Sequence, residues 1–64
     1  MRIVSAWEVE SLPVGSIVYL RKDSYWLAGQ YRVHMMHGLK YLEGVHSKRM
    51  LSINNKKLYH YELP

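Results

Sequence analysis

Gln30-Tyr31-Arg32-Val33-His34-Met35-Met36-His37-Gly38-Leu39-Lys40-Tyr41-Leu42 is the stretch on which the fold turns. Tyr31, Val33 and Met35 alternate with Gln30, Arg32, His34 and Met36, and a period of two separates into two faces only when the chain is extended. The first set is assigned to the core and the second to solvent. His37-Gly38 then reads as a hairpin turn, with Leu39 to Leu42 as the return strand.

Working towards the N-terminus, Ala28-Gly29 reads as a bulge or sharp bend within a long strand from Tyr25 to Met36. Before it, Ser16 to Arg21 follows the turn Leu12-Pro13-Val14-Gly15 and precedes the turn Lys22-Asp23-Ser24. Ile17, Val18, Tyr19 and Leu20 are apolar on both faces, the pattern of a strand covered on each side, with Val18 and Leu20 pointing inward. Arg2 to Val4 suits a short opening strand, and Ser5 with Glu8 three positions later suits a capping box for one helical turn. Trp7, beside that turn, is expected to plug the core. Towards the C-terminus, Lys48 to Ile53 is expected to pair with Lys57 to Leu63 across a turn at Asn54-Asn55, with Leu51 inward. Val, Ile, Tyr and Trp together number seventeen, whereas Ala occurs twice, which favours strands over helices throughout.

The expected architecture is all-β: a small, five-stranded, partly open barrel with one short N-terminal helical turn, forming a single binding domain over residues 1–64. Closure hides sheet edges, which favours a barrel over a flat sheet. Leu12-Pro13-Val14-Gly15-Ser16-Ile17-Val18-Tyr19-Leu20, followed by the bent strand holding Tyr31-Arg32-Val33, resembles the opening of SH3-like and Tudor-like small barrels. The resemblance is at the level of the fold and spans residues 10–63. It implies a binding fold and carries over no specific binding residues. The acidic loop and paired aromatics of peptide-binding SH3 domains are absent, which argues against proline-rich ligands.

Length and composition narrow the function. Sixty-four residues form one domain at most and leave little room for an enclosed pocket. With no cysteine there is no disulfide and no thiol nucleophile. Cysteine-free composition, with Glu8 and Glu10 where an export signal would need an apolar core, suits a soluble cytoplasmic chain. No apolar run approaches the ~18 residues of a membrane span, so no membrane partner is expected. His34-Met35-Met36-His37 has a spacing that converges on a helix and diverges on a strand, so all four histidines are read as surface or strand-edge groups, with no metal or cofactor. Asp23 is the only aspartate, the six serines form no recognisable triad, and the four glycines stand singly, so no catalytic residues are assigned and an enzyme is not expected.

A net charge of +4 and a pI near 9.6 point to an anionic macromolecule. Basic residues interleave with aromatics, and the partner-binding residues are assigned as Tyr25, Trp26, Arg32, His34, Met36, Lys48, Arg49, Lys56, Lys57 and Tyr59. Such a set could dock on an acidic protein, with Trp, Tyr, Met and Arg as anchors. The alternative is that it binds DNA or RNA through phosphate contacts and base stacking. The modest charge and the apolar Trp26 and Met36 favour the protein partner, in the manner of a compact inhibitor or regulator of the kind that phages and mobile elements encode. A homodimer would also be compatible with so small a core.

Overall fold

The computed structural model describes residues 2–24, 27–53 and 59–64. Six antiparallel strands form one open sheet: β1 (Arg2–Val4), β2 (Ile17–Leu20), β3 (Gly29–Met36), β4 (Leu39–Gly44), β5 (Met50–Ser52) and β6 (Tyr61–Leu63). A five-residue helix, α1 (Ala6–Glu10), follows β1. Across the sheet the strands run β1-β6-β2-β3-β4-β5. The chain is thus a small β-rich fold with almost no helix, as its composition implies.

The central hairpin follows the alternation in its sequence. Val33 lies opposite Leu42, which lies opposite Leu51; Val18 lies opposite Tyr31; and Leu20 lies opposite Tyr61, itself opposite Val4. These side chains share the inner face. Val18, Leu20, Tyr31, Val33, Leu42 and Tyr61 are buried there with Val4 and Val9, and Leu51 packs against them half-buried. Tyr31 keeps its hydroxyl satisfied in the core by donating to the Leu27 carbonyl at 2.7 Å, as burial of a phenol requires.

Local chemistry sets the turns. His37 (φ +54°) and Gly38 (φ +76°) both occupy the left-handed region, which lets a two-residue hairpin turn follow the twist of its strands. Gly15 and Ser16 form a bulge opposite Val33: the Gly15 N–H donates to the Val33 carbonyl, and the Val33 N–H donates to the Ser16 carbonyl, both at 2.8 Å. Ser5 caps α1 by accepting from the Glu8 N–H. The Glu8 carboxylate turns to Arg2 at 2.8 Å instead of returning to the cap.

Several expectations are corrected. The described residues form six strands where five are expected from sequence, and β5 and β6 do not form a hairpin: β5 pairs with β4, and β6 crosses back to lie between β1 and β2. There Tyr61 meets both Leu20 and Val4 on the inner face, which a hairpin with β5 would not allow. The proposed turn at Asn54-Asn55 lies outside the described residues. β3 begins at Gly29, so Ala28 precedes the strand and Ala28-Gly29 is not a bend within it. Met35 is 47% exposed, because its inward position lies beyond the end of the core, opposite Lys40. Trp7 is 74% exposed: a helix of five residues has one buried side, taken by Val9, and a residue two positions away points elsewhere.

Lys40 has a role the alternation does not reveal. Its ammonium donates to the Glu10 and Leu12 carbonyls at 2.9 and 2.6 Å, tying β4 to the C-terminal end of α1, where helix carbonyls lack partners. Among the described residues no helix is long and apolar enough to cross a membrane.

Candidate binding face

The strand register that builds the core also assembles the opposite face. Arg32 on β3 lies between Ile17 of β2 and Glu43 of β4, and Glu43 lies opposite Met50 of β5. One row further along, His34 is opposite Tyr41 and Tyr41 is opposite Ser52; beyond them Met36 faces Leu39 beside the turn. In the other direction Gln30, Tyr19 and Glu62 form a row ending at Ile3. Arg32, Met36, Leu39 and Met50 are exposed, while Ile17, Tyr19, His34, Tyr41 and Glu43 are half-buried. Cross-strand neighbours of this kind are the pairs through which a sheet presents its chemistry.

Of the ten residues assigned from sequence, Arg32, His34 and Met36 are thus brought together. Lys48 and Arg49 lie apart from them, on the connection between β4 and β5; Lys48 is exposed, and Arg49 is half-buried beside a shallow cleft lined by Gln30, Tyr31 and His46. Tyr59 packs against the core, its ring 6.5 Å from that of Tyr61 at an angle of 58°. Tyr25, Trp26, Lys56 and Lys57 lie outside the described residues. Tyr41, Leu39, Ile17 and Glu43 join the face without having been assigned to it. For Leu39, Tyr41 and Glu43 the signal is the same alternation in Leu39-Lys40-Tyr41-Leu42-Glu43, and for Ile17 it is the alternation with Val18 in β2.

The face is mixed in charge and rich in apolar surface. Arg32 stands opposite Glu43, Glu62 is engaged by Arg21 at 3.4 Å, and among the described residues neither Arg32 nor Glu43 forms an ion pair. Outside the face, Arg21 is offset by Asp23 and Glu62, while Lys48 and Arg49 stand together on the connection between β4 and β5.

A second cluster holds the last strand in place. Ser24, fully buried, accepts from the His60 N–H at 2.9 Å and donates to the His60 carbonyl at 3.4 Å. The Arg21 N–H donates to the same carbonyl at 2.9 Å. Around this main-chain clamp the His60 Nδ1 lies 2.9 Å from Asp23, and Arg21 reaches Glu62 at 3.4 Å and Asp23 at 3.8 Å. The hydrogen bond from His60 holds the Asp23 carboxyl below its usual value, partial desolvation opposes it, and the nearby Arg21 charge adds to the lowering. An imidazole against a carboxylate is also the contact that acid–base chemistry uses. Here the adjacent hydroxyl is buried and engaged with main chain, so Ser24 is not presented as a nucleophile. Among the described residues no group of three His, Asp or Glu is placed to hold a metal ion.

No family model, curated protein or solved structure matches this chain.

Proposed function

We propose that this chain is a non-catalytic binding module that docks on an acidic protein surface through the outer face of its sheet. The observation that carries the reading is the register placing Arg32, His34 and Met36 beside Tyr41, Leu39 and Met50 on one accessible face. Tyrosine, arginine and methionine are enriched where protein interfaces bury surface, and methionine adapts its shape to a partner. Arg32 supplies the charge that selects an acidic partner. A nucleic-acid track would require cations spaced along the groove, whereas this face alternates Arg32 with Glu43. The same topology, a meander from β2 to β5 with the last strand returning beside β2, supports assigning the fold to the SH3-like small barrels.

The test is capture of a partner from lysate by the wild-type chain and by the Arg32→Glu and Met36→Asp variants, with nuclease present throughout. Both substitutions are at exposed positions and are expected to leave the thermal melt unchanged while losing the retained protein. A partner retained equally by both variants would remove the face from the interface. The nucleic-acid reading is tested separately by fluorescence anisotropy at about 50 mM salt, where phosphate contacts act strongly. Tight binding there, falling steeply as salt rises, would replace the protein partner with DNA or RNA.

A further inference from the structure

The two outer strands of the sheet differ in how they treat their unpaired backbone. β1 carries Arg2, ion-paired to Glu8, and the chain turns at once into α1. β5 reads Met50-Leu51-Ser52, with no charge and no proline, and no described strand pairs with its far side. Exposed edges are ordinarily blunted by charge, proline, bulges or cover. Among the described residues β5 shows none of these.

The register shows which groups that edge presents. The Gly44 N–H donates to the Arg49 carbonyl at 2.9 Å, so residues 44 and 49 form a hydrogen-bonded pair. Hydrogen-bonded pairs alternate along an antiparallel ladder, which makes Leu42 and Leu51 the next such pair and leaves Glu43–Met50 and Tyr41–Ser52 non-bonded. The N–H and C=O groups of Met50 and Ser52 therefore point away from β4, and they are the groups an added strand would engage. The side chains beside them set the character of that strand. Leu51 and Ile53, half-buried against the core, offer an apolar strip on the inner side. Lys48, exposed, and Arg49, half-buried, stand at the start of β5.

We propose that β5 receives an extended, acidic segment of a partner protein as a seventh strand, with apolar residues over Leu51 and Ile53 and carboxylates on the opposite side, towards Lys48. Strand addition of this kind takes affinity from main-chain hydrogen bonds and selectivity from alternate side chains. Charge decides between occupants: a second copy of this chain would bring another net charge of +4 to the edge, whereas an acidic segment neutralises it. The proposal rests on the protein-binding reading above and adds to it the site and conformation of the bound segment.

The probe is a capped octapeptide of alternating Val and Glu, with an alternating Val and Lys octapeptide as its control, titrated into the isotopically labelled protein and followed by amide shifts and hydrogen exchange. The Glu peptide is expected to shift the amides from Arg49 to Ser52 and to slow exchange at Met50 and Ser52, and the Lys peptide to do neither. Met50→Pro removes an outward donor without touching the ladder to β4, so it is expected to weaken binding by about tenfold while the protein stays folded. If that variant does not fold, the exchange contrast between the two peptides in the wild type still decides. Equal effects of the two peptides, undiminished binding to Met50→Pro, or protection of both amides that grows with protein concentration alone would overturn the proposal, the last by placing a second copy on the edge. Arg32→Glu is expected to leave the titration intact. Loss of capture in that variant alongside a failed titration therefore rejects the added strand and keeps the docking face, whereas failure of both experiments rejects both.

Discussion

Strands β3, β4 and β5 form a meander in which each strand pairs with its neighbour in sequence, whereas β6 reaches β1 and β2 only by returning across the molecule. The meander is joined by the two-residue turn at His37-Gly38 and by the connection that brings Gly44 against Arg49. The returning half is tied down by polar groups: Ser24 and Arg21 grip the main chain of His60, while Asp23 and Glu62 arrange charges around them. Local pairing can be held by turn chemistry and apolar burial, because the chain entropy lost in closing a short loop is small. A distant strand of three residues adds little area and needs hydrogen bonds to fix its place.

The heaviest blow to either half falls on the apolar centre of the meander. Leu42→Ala empties a fully buried position opposite both Val33 and Leu51 and is expected to cost about 3 kcal/mol in denaturant unfolding. Since a single core of this size supplies only about 3–5 kcal/mol, much of that variant should be unfolded at rest. Ser24→Ala leaves the His60 N–H without its acceptor and should cost about 1–3 kcal/mol. Its effect should be local: hydrogen exchange is expected to quicken in β6 and β1 before β3 and β4. Equal loss of protection in all four strands would show that the halves open as one unit.

Smaller changes sharpen the meander side. A Cβ on Gly44 would collide with the Ser47 Oγ and stand 3.0 Å from the Ser47 carbonyl oxygen, so Gly44→Ala is expected to destabilise by about 1–2 kcal/mol. His37→Val, which forces a β-branched residue to positive φ, should cost about 1–2 kcal/mol, while His37→Asn should cost nothing measurable. Equal melts for these two variants would show that the turn does not depend on its left-handed geometry.

On the returning side, the Asp23 carboxyl is held below the ordinary value of 3.8 when folded. Its contribution is present above that value and lost as pH falls through the lower folded one, because the unfolded chain takes up the proton first. Asp23→Asn should therefore lower stability modestly near neutrality, where the carboxylate contributes, and converge with the wild type in acid, which flattens the limb below about pH 4. Urea melts from pH 2 to 7 on both proteins measure it, and parallel acid limbs would detach Asp23 from the fold's pH dependence.

Much of the meander was legible in the sequence for a physical reason. Tyr31 and Val33 alternate with Arg32 and His34, and once a strand is recognised that alternation settles which side chains share a face. Three residues of the proposed docking face, Arg32, His34 and Met36, followed from it directly. Tyr41 and Leu39 obey the same rule and were missed because aromatic and apolar residues are usually assigned inward. Met35 failed for the opposite reason: alternation gives a side but not a depth, and the core ends before it.

What the chain determined by itself, then, is what one or two turns of backbone can decide: the extended segments, the His37-Gly38 reversal, the Ser5 cap, and the sides of β2 and β3. Only the tertiary structure decided the partners of β6, the burial of Ser24, the reach of Lys40 to the end of α1 and the outermost place of β5 among the described strands. A short alternating strand such as Tyr61-Glu62-Leu63 satisfies the local rules equally well beside β5 or beside β2. The choice rests on which arrangement buries Tyr61 against Leu20 and Val4 while pairing the His60 main chain, and those groups come together only when distant parts of the chain meet.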